Sequence, residues 1–303
     1  MGIRLVALAF ALAAAASAAP AQERVTLGFG RQFNNDIIGD GEDRWRSGSY
    51  QWSIVRGRSW AGTRPERPLD VIDFRIRSEI IAPERLNGTG SRSRLYAGIV
   101  AAGAHSHFAR GPFDVSLGAD LVFSGPQTGW ADRQNRFHEL IDAPRVGQDG
   151  NEIENDTRVH GTLEVALPLR SSDVLIVRPF VETQGGTETL IRGGADIVLG
   201  AAMQGDLFLR DHVTGHLIRG IETGDSGFGW VAGADWTRIE DSIYLPEGGR
   251  ATAESDRLRA RAGVHWQFGP EMSFFYGLTY LSEEYEEQPE GQTLGSAKLN
   301  FRF

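Results

Sequence analysis

The stretch SGPQTGWADRQNRFHELIDAP places a histidine and a glutamine where they can share chemistry. Trp130, Gln134, Phe137, His138 and Ile141 recur at the spacing of one helical face, whereas most of the chain alternates with the two-residue period of a strand. Gln134 therefore lies one helical turn before His138. A histidine can accept a proton from water near neutral pH, and a glutamine amide can orient the imidazole, a water molecule or a substrate.

A second polar cluster is FNNDIIGDGEDRWRSGS, which runs from the end of the first predicted strand through a loop into the second. It concentrates amide, carboxylate and hydroxyl side chains, namely Asn34, Asn35, Asp36, Asp40, Glu42, Asp43 and Ser47. Long loops on a rigid scaffold are natural places for function. The helix and this loop are therefore the two candidate sources of site residues.

Composition excludes several classes of protein. The 303 residues contain no cysteine, which excludes a disulfide framework and a thiolate metal site. The formal net charge of −9 argues against a general nucleic-acid binder, which needs a basic face to neutralise phosphates. The first 21 residues combine Arg4, an apolar run and small residues at A-x-A spacing, which is typical of a secretory signal peptide. We therefore expect a signal peptide at 1–21 and a single domain at 22–303.

Apolar and polar residues alternate repeatedly along the rest of the chain. In VIDFRIRSEI, Ile72, Phe74 and Ile76 share one face and the charged residues share the other. A secreted β-sandwich would alternate in the same way. Two features favour an all-β transmembrane barrel: strands of about ten to twelve residues, the length that crosses a bilayer, and an aromatic last strand ending at Phe303. In such a barrel the apolar face meets lipid and the charged face lines the lumen.

The alternation predicts twelve antiparallel strands, an even number as bacterial barrels require. They lie near residues 25–35, 46–57, 70–81, 93–106, 112–123, 157–167, 174–184, 190–200, 226–240, 254–268, 271–283 and 292–303. With both termini in the periplasm, the helix around His138 lies in the longest extracellular loop. There we expect Trp130, Phe137 and Ile141 to pack it on the barrel wall and on acyl chains. The segment 201–225 fits either a periplasmic hairpin or further strands.

Both polar clusters resemble signatures of the outer-membrane lipid A 3′-O-deacylase family. FNNDIIGDGEDRWRSG is similar to the family's N-terminal signature, an Asn-Asp pair followed by an Asp-Arg, an aromatic residue and a Thr just before a Gly-containing strand. SGPQTGWADRQNRFHELI is similar to the second signature, with Gly-Pro, a Gly, Gln-Asn-Arg and a His four residues after the Gln. IIAPER and DSIYLPEGG resemble two further segments, so the similarity spans the mature chain.

This resemblance implies a twelve-stranded barrel that removes the 3′-linked acyloxyacyl group from lipid A in the outer leaflet of the bacterial outer membrane. It also implies that Ca²⁺ polarises the ester carbonyl and that a histidine activates the attacking water, as in phospholipases A2. Carried over residue by residue, Asn35 and Asp36 match the Asn-Asp pair, with Asp36 the calcium ligand. Ser47 takes the position of the Thr, and Gln134 and His138 match the helix pair.

Elementary chemistry is consistent with that implication. Ester hydrolysis needs stabilisation of a developing oxyanion, which a hard divalent cation with open coordination positions supplies. Calcium takes oxygen ligands, and these are available from Asp36, from loop carbonyls and from Asp40 or Asp43.

Two other functions are compatible with the sequence. A phospholipase-like barrel could act on glycerophospholipids with the same chemistry, and a non-catalytic barrel could serve as a structural protein or a narrow pore. Among the cationic residues, Arg85, Arg92 or Arg94 could meet lipid A phosphates, since a guanidinium binds phosphate bidentately. The expected partners are lipid A or lipopolysaccharide within the membrane and no nucleic acid, and we expect a monomer.

Overall fold

The computed structural model describes residues 23–85, 93–142, 144–146, 150–224, 226–269 and 271–301. The predicted signal peptide, Arg92 and the terminal Phe303 lie outside the described residues, and so does the side chain of Ile141. Within the described part, no helix has the length and apolar character needed to cross a bilayer.

Strands dominate the described chain, and a single sheet closes on itself. The elements are β1 Val25–Asn35, β2 Trp45–Gly57, β3 Val71–Ala82, β4 Ala97–Arg110, β5 Phe113–Ser124, α1 Trp130–Ile141, β6 Asp156–Ala166, β7 Leu169–Ser172, β8 Leu175–Gly185, β9 Glu188–Leu199, β10 Leu207–Arg210, β11 Leu217–Ile221, β12 Gly227–Ser242, β13 Asp256–Gln267, β14 Met272–Leu281 and β15 Gln292–Phe301. β1 pairs with β15, and pairing of β6 with β8 completes the closure. The short β7 also pairs with β8, beyond the end of β6. The fold is therefore the predicted twelve-stranded antiparallel barrel.

Side chains on the barrel strands alternate between the outer surface and the lumen, as the sequence predicts. On β3, Phe74 and Ile76 are 45% and 51% exposed on the outer surface, whereas Asp73 and Arg77 are 0% and 5% exposed. The charged side chains therefore face the lumen, and the apolar side chains face outward where lipid lies. A sandwich would instead bury its apolar faces between two sheets.

The segment 201–225 supplies a hairpin that folds into the lumen. β10 and β11 pair with each other, and Leu207–Ile221 is called the plug hairpin below. Its apolar side chains form a cluster with the barrel wall: Val55, Val71, Leu207, Leu209, Ile218 and Ile221. Gly28 on β1 is necessary because a Cβ there would overlap the carbonyl oxygen of Gly220. At the hairpin tip, Asn34 Nδ2 donates to Asp211 Oδ1 over 3.1 Å, so the plug hairpin reaches the outer end of β1.

Ion pairs fill the outer half of the lumen. Arg46 binds Glu79, Glu284 and, at 3.6 Å, Glu188. Arg94 is only 2% exposed and also pairs with Glu284, so its guanidinium lies inside the barrel and away from the outer surface. Each charge has a partner of opposite sign, which offsets the cost of removing it from water.

The filled lumen predicts that the barrel does not conduct ions. Among the described residues, two cavities between the ion pairs and the plug hairpin have volumes of about 50 Å³ and 30 Å³, enough for a few water molecules. Protein reconstituted in planar lipid bilayers should therefore show no steady conductance under an applied voltage. Regular porin-like current steps would contradict this prediction and would favour the narrow pore.

Candidate active site

Helix α1 lies against the outer rim because the wall leaves space for its start. The helix begins after Gly129 and ends before Asp142, and both of these capping residues are left-handed, with φ 66° and 56°. On β4, a Cβ at Gly98 would lie 2.6 Å from Thr128 Oγ1 and 2.7 Å from Trp130 Cβ, closer than packed atoms approach. Glycine at this wall position therefore sets how closely the start of the helix approaches the barrel.

The buried line of the helix passes through Trp130, Gln134 and His138. His138 is 3% exposed, and Trp130 and Gln134 are half-buried. The expectation that Phe137 packs on the wall is wrong, because its side chain is 57% exposed. The line of contact follows the four-residue spacing, and Phe137 lies about 100° away from His138 around the helix axis. It faces the surroundings of the barrel.

A chain of hydrogen bonds fixes the tautomer of His138. Tyr96 donates its hydroxyl to Gln134 Oε1 over 3.0 Å, so the amide group of Gln134 turns its N–H toward His138 Nε2 at 3.3 Å. On the other side of the ring, Nδ1 lies 2.5 Å from the carbonyl oxygen of Pro144, which can only accept. Nδ1 therefore carries the proton, and Nε2 of the neutral ring keeps its lone pair.

The first loop brings Asp43 to the same imidazole nitrogen. Asp43 Oδ2 lies 3.6 Å from His138 Nε2, and Asp43 Oδ1 accepts a hydrogen bond from Ser47 Oγ over 2.5 Å. Ser47 and His138 therefore meet opposite oxygens of one carboxylate. An ionised Asp43 at this place stabilises a protonated imidazole, since opposite charges at this distance attract.

A β-bulge at the start of β2 directs these side chains. The pairing with β3 shifts between Trp45 and Gly48, and Trp45 is left-handed with φ 52°. As a result, consecutive residues are both buried, with Arg46 in the lumen network and Ser47 on Asp43. A left-handed non-glycine residue costs of order 1–3 kcal/mol, and such strain often lies at functional sites.

Asn35 and Asp36 shape the turn that begins the first loop. Asn35 Nδ2 donates to the carbonyl oxygen of Ser47 over 2.8 Å, and its Oδ1 accepts from Ile37 N over 2.9 Å. The carboxylate of Asp36 is fully buried and accepts from Ile37 N and Arg44 N. Burial raises the pKa of Asp36 to about 8; the Arg44 N–H opposes this, and the negative charge of Asp43 adds to it.

The donor chemistry at Asp36 fits a hard cation such as calcium. Its buried carboxylate has no ion-pair partner among the described residues, and the adjoining Asp40 and Asp43 add negative potential. Across the described ranges, no three acidic or histidine side chains converge as a complete ligand set. Backbone carbonyls, substrate and water would therefore have to supply the remaining oxygen ligands.

Tyr96 belongs to the site through its hydrogen bond to Gln134, and Glu152 lies beside it as its backbone-bridge partner. No sequence signal indicated either residue. Tyr96 is fully buried, and its backbone pairs with the loop through Asn151 and Ile153. Burial, with the negative charge of Asp132 as a second cause, raises the pKa of Glu152 to about 7. Both residues depend on a contact between distant loops, which neither spacing nor alternation encodes.

An apolar groove lies on the outer wall beside the helix. Its volume is about 930 Å³. Its lining comes from outward residues near the extracellular ends of β2–β5 and from the start of the helix, including Tyr50, Trp52, Ile76, Val100, Phe123, Trp130 and Arg133. The position on the outer wall opens the groove to lipid in the outer leaflet.

The chain was compared with solved structures, curated proteins and family models. The structure of LpxR from Salmonella typhimurium is similar with a TM-score of 0.75 and 17% sequence identity, covering 91% of this chain and 100% of that chain. The beta domain of the Bordetella autotransporter BrkA is less similar, with a TM-score of 0.46, 11% identity, and coverage of 91% and 99%. A comparison with curated proteins found no match. The family model described as outer membrane protein LpxR matches residues 5–303. The chain therefore belongs to the LpxR family of outer membrane proteins.

Proposed function

We propose that the protein is an ester hydrolase that removes the 3′-linked acyloxyacyl group from lipid A in the outer leaflet. One observation carries the proposal: His138 of the loop helix and Asp43 of the first loop meet at the extracellular rim, with 3.6 Å between Nε2 and Oδ2. Membership of the LpxR family and the resemblance of both loop signatures to lipid A 3′-O-deacylases support it. The groove beside the helix supports a membrane-resident substrate.

In the proposed reaction, a water molecule attacks the ester carbonyl carbon while His138 Nε2 accepts its proton. The bond between that carbon and the sugar oxygen then breaks, and the imidazolium returns the proton to the sugar oxygen. The products are a free fatty acid and a sugar hydroxyl. Asp43 stabilises the imidazolium between these steps, and Gln134 releases Nε2 and orients the water.

Asp36 is the residue that would hold calcium. When bound, the ion supplies positive charge for the carbonyl oxygen on which negative charge develops. The N–H groups of Ile37 and Arg44 orient the Asp36 carboxylate, which sets the direction in which it would meet an ion.

Ser47 and Asn35 act by positioning in this proposal. Ser47 Oγ is hydrogen-bonded to Asp43 and makes no hydrogen bond to His138 in the described part of the chain, which supports water rather than serine as the nucleophile. Asn35 holds the carbonyl oxygen of Ser47 and the N–H of Ile37, and so links the end of β1 to the start of β2.

Mass spectrometry of lipid A from cells that express the protein tests the function. We expect this lipid A to have lost one acyloxyacyl unit. In a separate assay with purified enzyme, chelation of calcium should abolish the hydrolysis. Unchanged lipid A with acyl chains released from phospholipids would indicate a phospholipase instead. Unchanged lipids of both kinds would indicate a non-catalytic barrel.

A further inference from the structure

The groove beside the helix combines an apolar floor with a cation at its rim. The floor includes Ile76, Val100 and Phe123 of the outer wall. These side chains suit acyl chains, because burial of apolar surface is favourable and non-directional. Arg133 lies near the start of α1 in the extracellular loop and lines the groove from the helix side. The groove therefore has the two-part character of a lipid with an anionic headgroup.

Two contacts hold the guanidinium of Arg133 in place, but they engage only part of its hydrogen-bonding capacity. Its Nη1 donates to the carbonyl oxygen of Thr128 over 2.8 Å, and its central carbon lies 5.8 Å from the ring centroid of Trp130. These contacts restrict the side chain. Nε and Nη2 make no hydrogen bond within the described ranges, so two N–H directions stay available to a ligand.

Charge balance distinguishes Arg133 from Arg77, the other arginine that lines the groove, and from Arg158 at the rim. Arg77 also borders the groove, but it is buried, 3.9 Å from Glu79 and 3.8 Å from Asp120. Arg158 at the rim pairs with an acidic neighbour on its own strand. Arg133 forms no ion pair with any described residue, so its positive charge is uncompensated at the groove.

We infer that Arg133 binds a phosphate of the lipid substrate, with the acyl chains of the same molecule on the groove floor. The occupant is a phosphorylated lipid A molecule. Its phosphate matches the positive charge of Arg133 at the rim, and its several acyl chains match the apolar floor of the groove. Guanidinium binds phosphate through two N–H groups at once, and Nε and Nη2 provide such a pair. This inference rests on the proposed function and assigns the headgroup contact of the same site.

Steady-state kinetics of Arg133→Gln and Arg133→Lys test the inference. The substrates are lipid A with both phosphates and the matched lipid that lacks the phosphate bound at the rim, prepared by removing each phosphate in turn. With the fully phosphorylated lipid, Arg133→Gln should raise KM about tenfold, roughly the loss of one hydrogen bond to a charged group, and leave kcat within about twofold. Arg133→Lys should lie in between, because it keeps the charge and loses the planar pair of donors.

Controls separate a phosphate contact from a change in the helix. With the lipid that lacks the contacted phosphate, wild type and Arg133→Gln should have equal KM. Arg158→Gln removes an exposed arginine from the same rim and should leave KM for every lipid unchanged. An equal rise in KM for all lipids, or no rise for any, would overturn the inference.

A binding measurement keeps this test independent of turnover. The His138→Ala variant should bind the lipids with the contacted phosphate more tightly than the lipid without it. The double variant His138→Ala, Arg133→Gln should lose this preference. If the wild type hydrolyses nothing but the preference is present, the proposed function fails and the phosphate contact stands. If the wild type deacylates lipid A without any preference that depends on Arg133, the phosphate contact fails alone.

Discussion

Replacement of His138 by alanine is expected to lower the kcat for lipid A hydrolysis by roughly 10²–10⁴-fold, the usual contribution of a general base. The reason is geometric, since the contacts of Tyr96, Gln134 and Pro144 put the ring proton on Nδ1, and Nε2 can accept a proton from water once Gln134 releases it. Hydrolysis can be followed by mass spectrometry with purified enzyme in detergent micelles. The side chain is buried but lies outside the barrel wall, so the variant should still fold.

Two controls make the His138 result specific. The variant should keep the heat-dependent shift in electrophoretic mobility that a folded barrel shows. Leu140→Ala changes the same helix at a side chain that is 83% exposed, and it should retain wild-type activity. Near-normal hydrolysis by the folded His138→Ala variant would exclude this residue as the base.

Calcium removal is the second change with a large expected effect. Chelation should abolish hydrolysis, and Ca²⁺ should restore it more effectively than Mg²⁺, which dehydrates reluctantly and demands stricter octahedral geometry. Asp36→Asn should lower kcat by roughly 10²-fold or more even with added Ca²⁺, the scale of losing one group that stabilises the oxyanion. The measurement is the rate of acyl release as a function of free Ca²⁺ concentration.

A control variant in the same loop shows whether Asp36→Asn acts by removing a calcium ligand or only by removing one negative charge. Glu42→Gln removes one negative charge from an exposed side chain six residues after Asp36, and it should leave the calcium dependence unchanged. Full activity of Asp36→Asn, or activity that is insensitive to chelation, would remove calcium from the mechanism.

Local patterns predicted the wall of the barrel well. The first strand was predicted at 25–35 and lies at Val25–Asn35, because alternation of side chains directly reflects which face meets lipid. The loop helix, which the helical spacing of its side chains predicts, lies at Trp130–Ile141. Both signals are local, so one sequence suffices to find them.

Features that depend on distant contacts were not predictable from those patterns. The sequence leaves 201–225 as a periplasmic hairpin or further strands, and only the approach of the plug hairpin to Gly28 and Val55 places it inside the lumen. The bulge at Trp45 arises from pairing with β3. Asp43 was a possible calcium ligand from sequence, yet the fold places it on His138, because the helix docks from a loop about ninety residues away. Which side chain Asp43 contacts therefore depends on the tertiary structure.

In the proposed mechanism the first loop and the loop helix form one catalytic unit. A double-mutant cycle tests it most directly, with kcat measured for wild type, Asp43→Ala, His138→Ala and the double variant. If Asp43 acts through the imidazole, Asp43→Ala should slow the wild type by about tenfold or more, and the double variant should be no slower than His138→Ala alone. Effects that multiply would show that the two side chains act independently, and the two loops would then not form one catalytic unit.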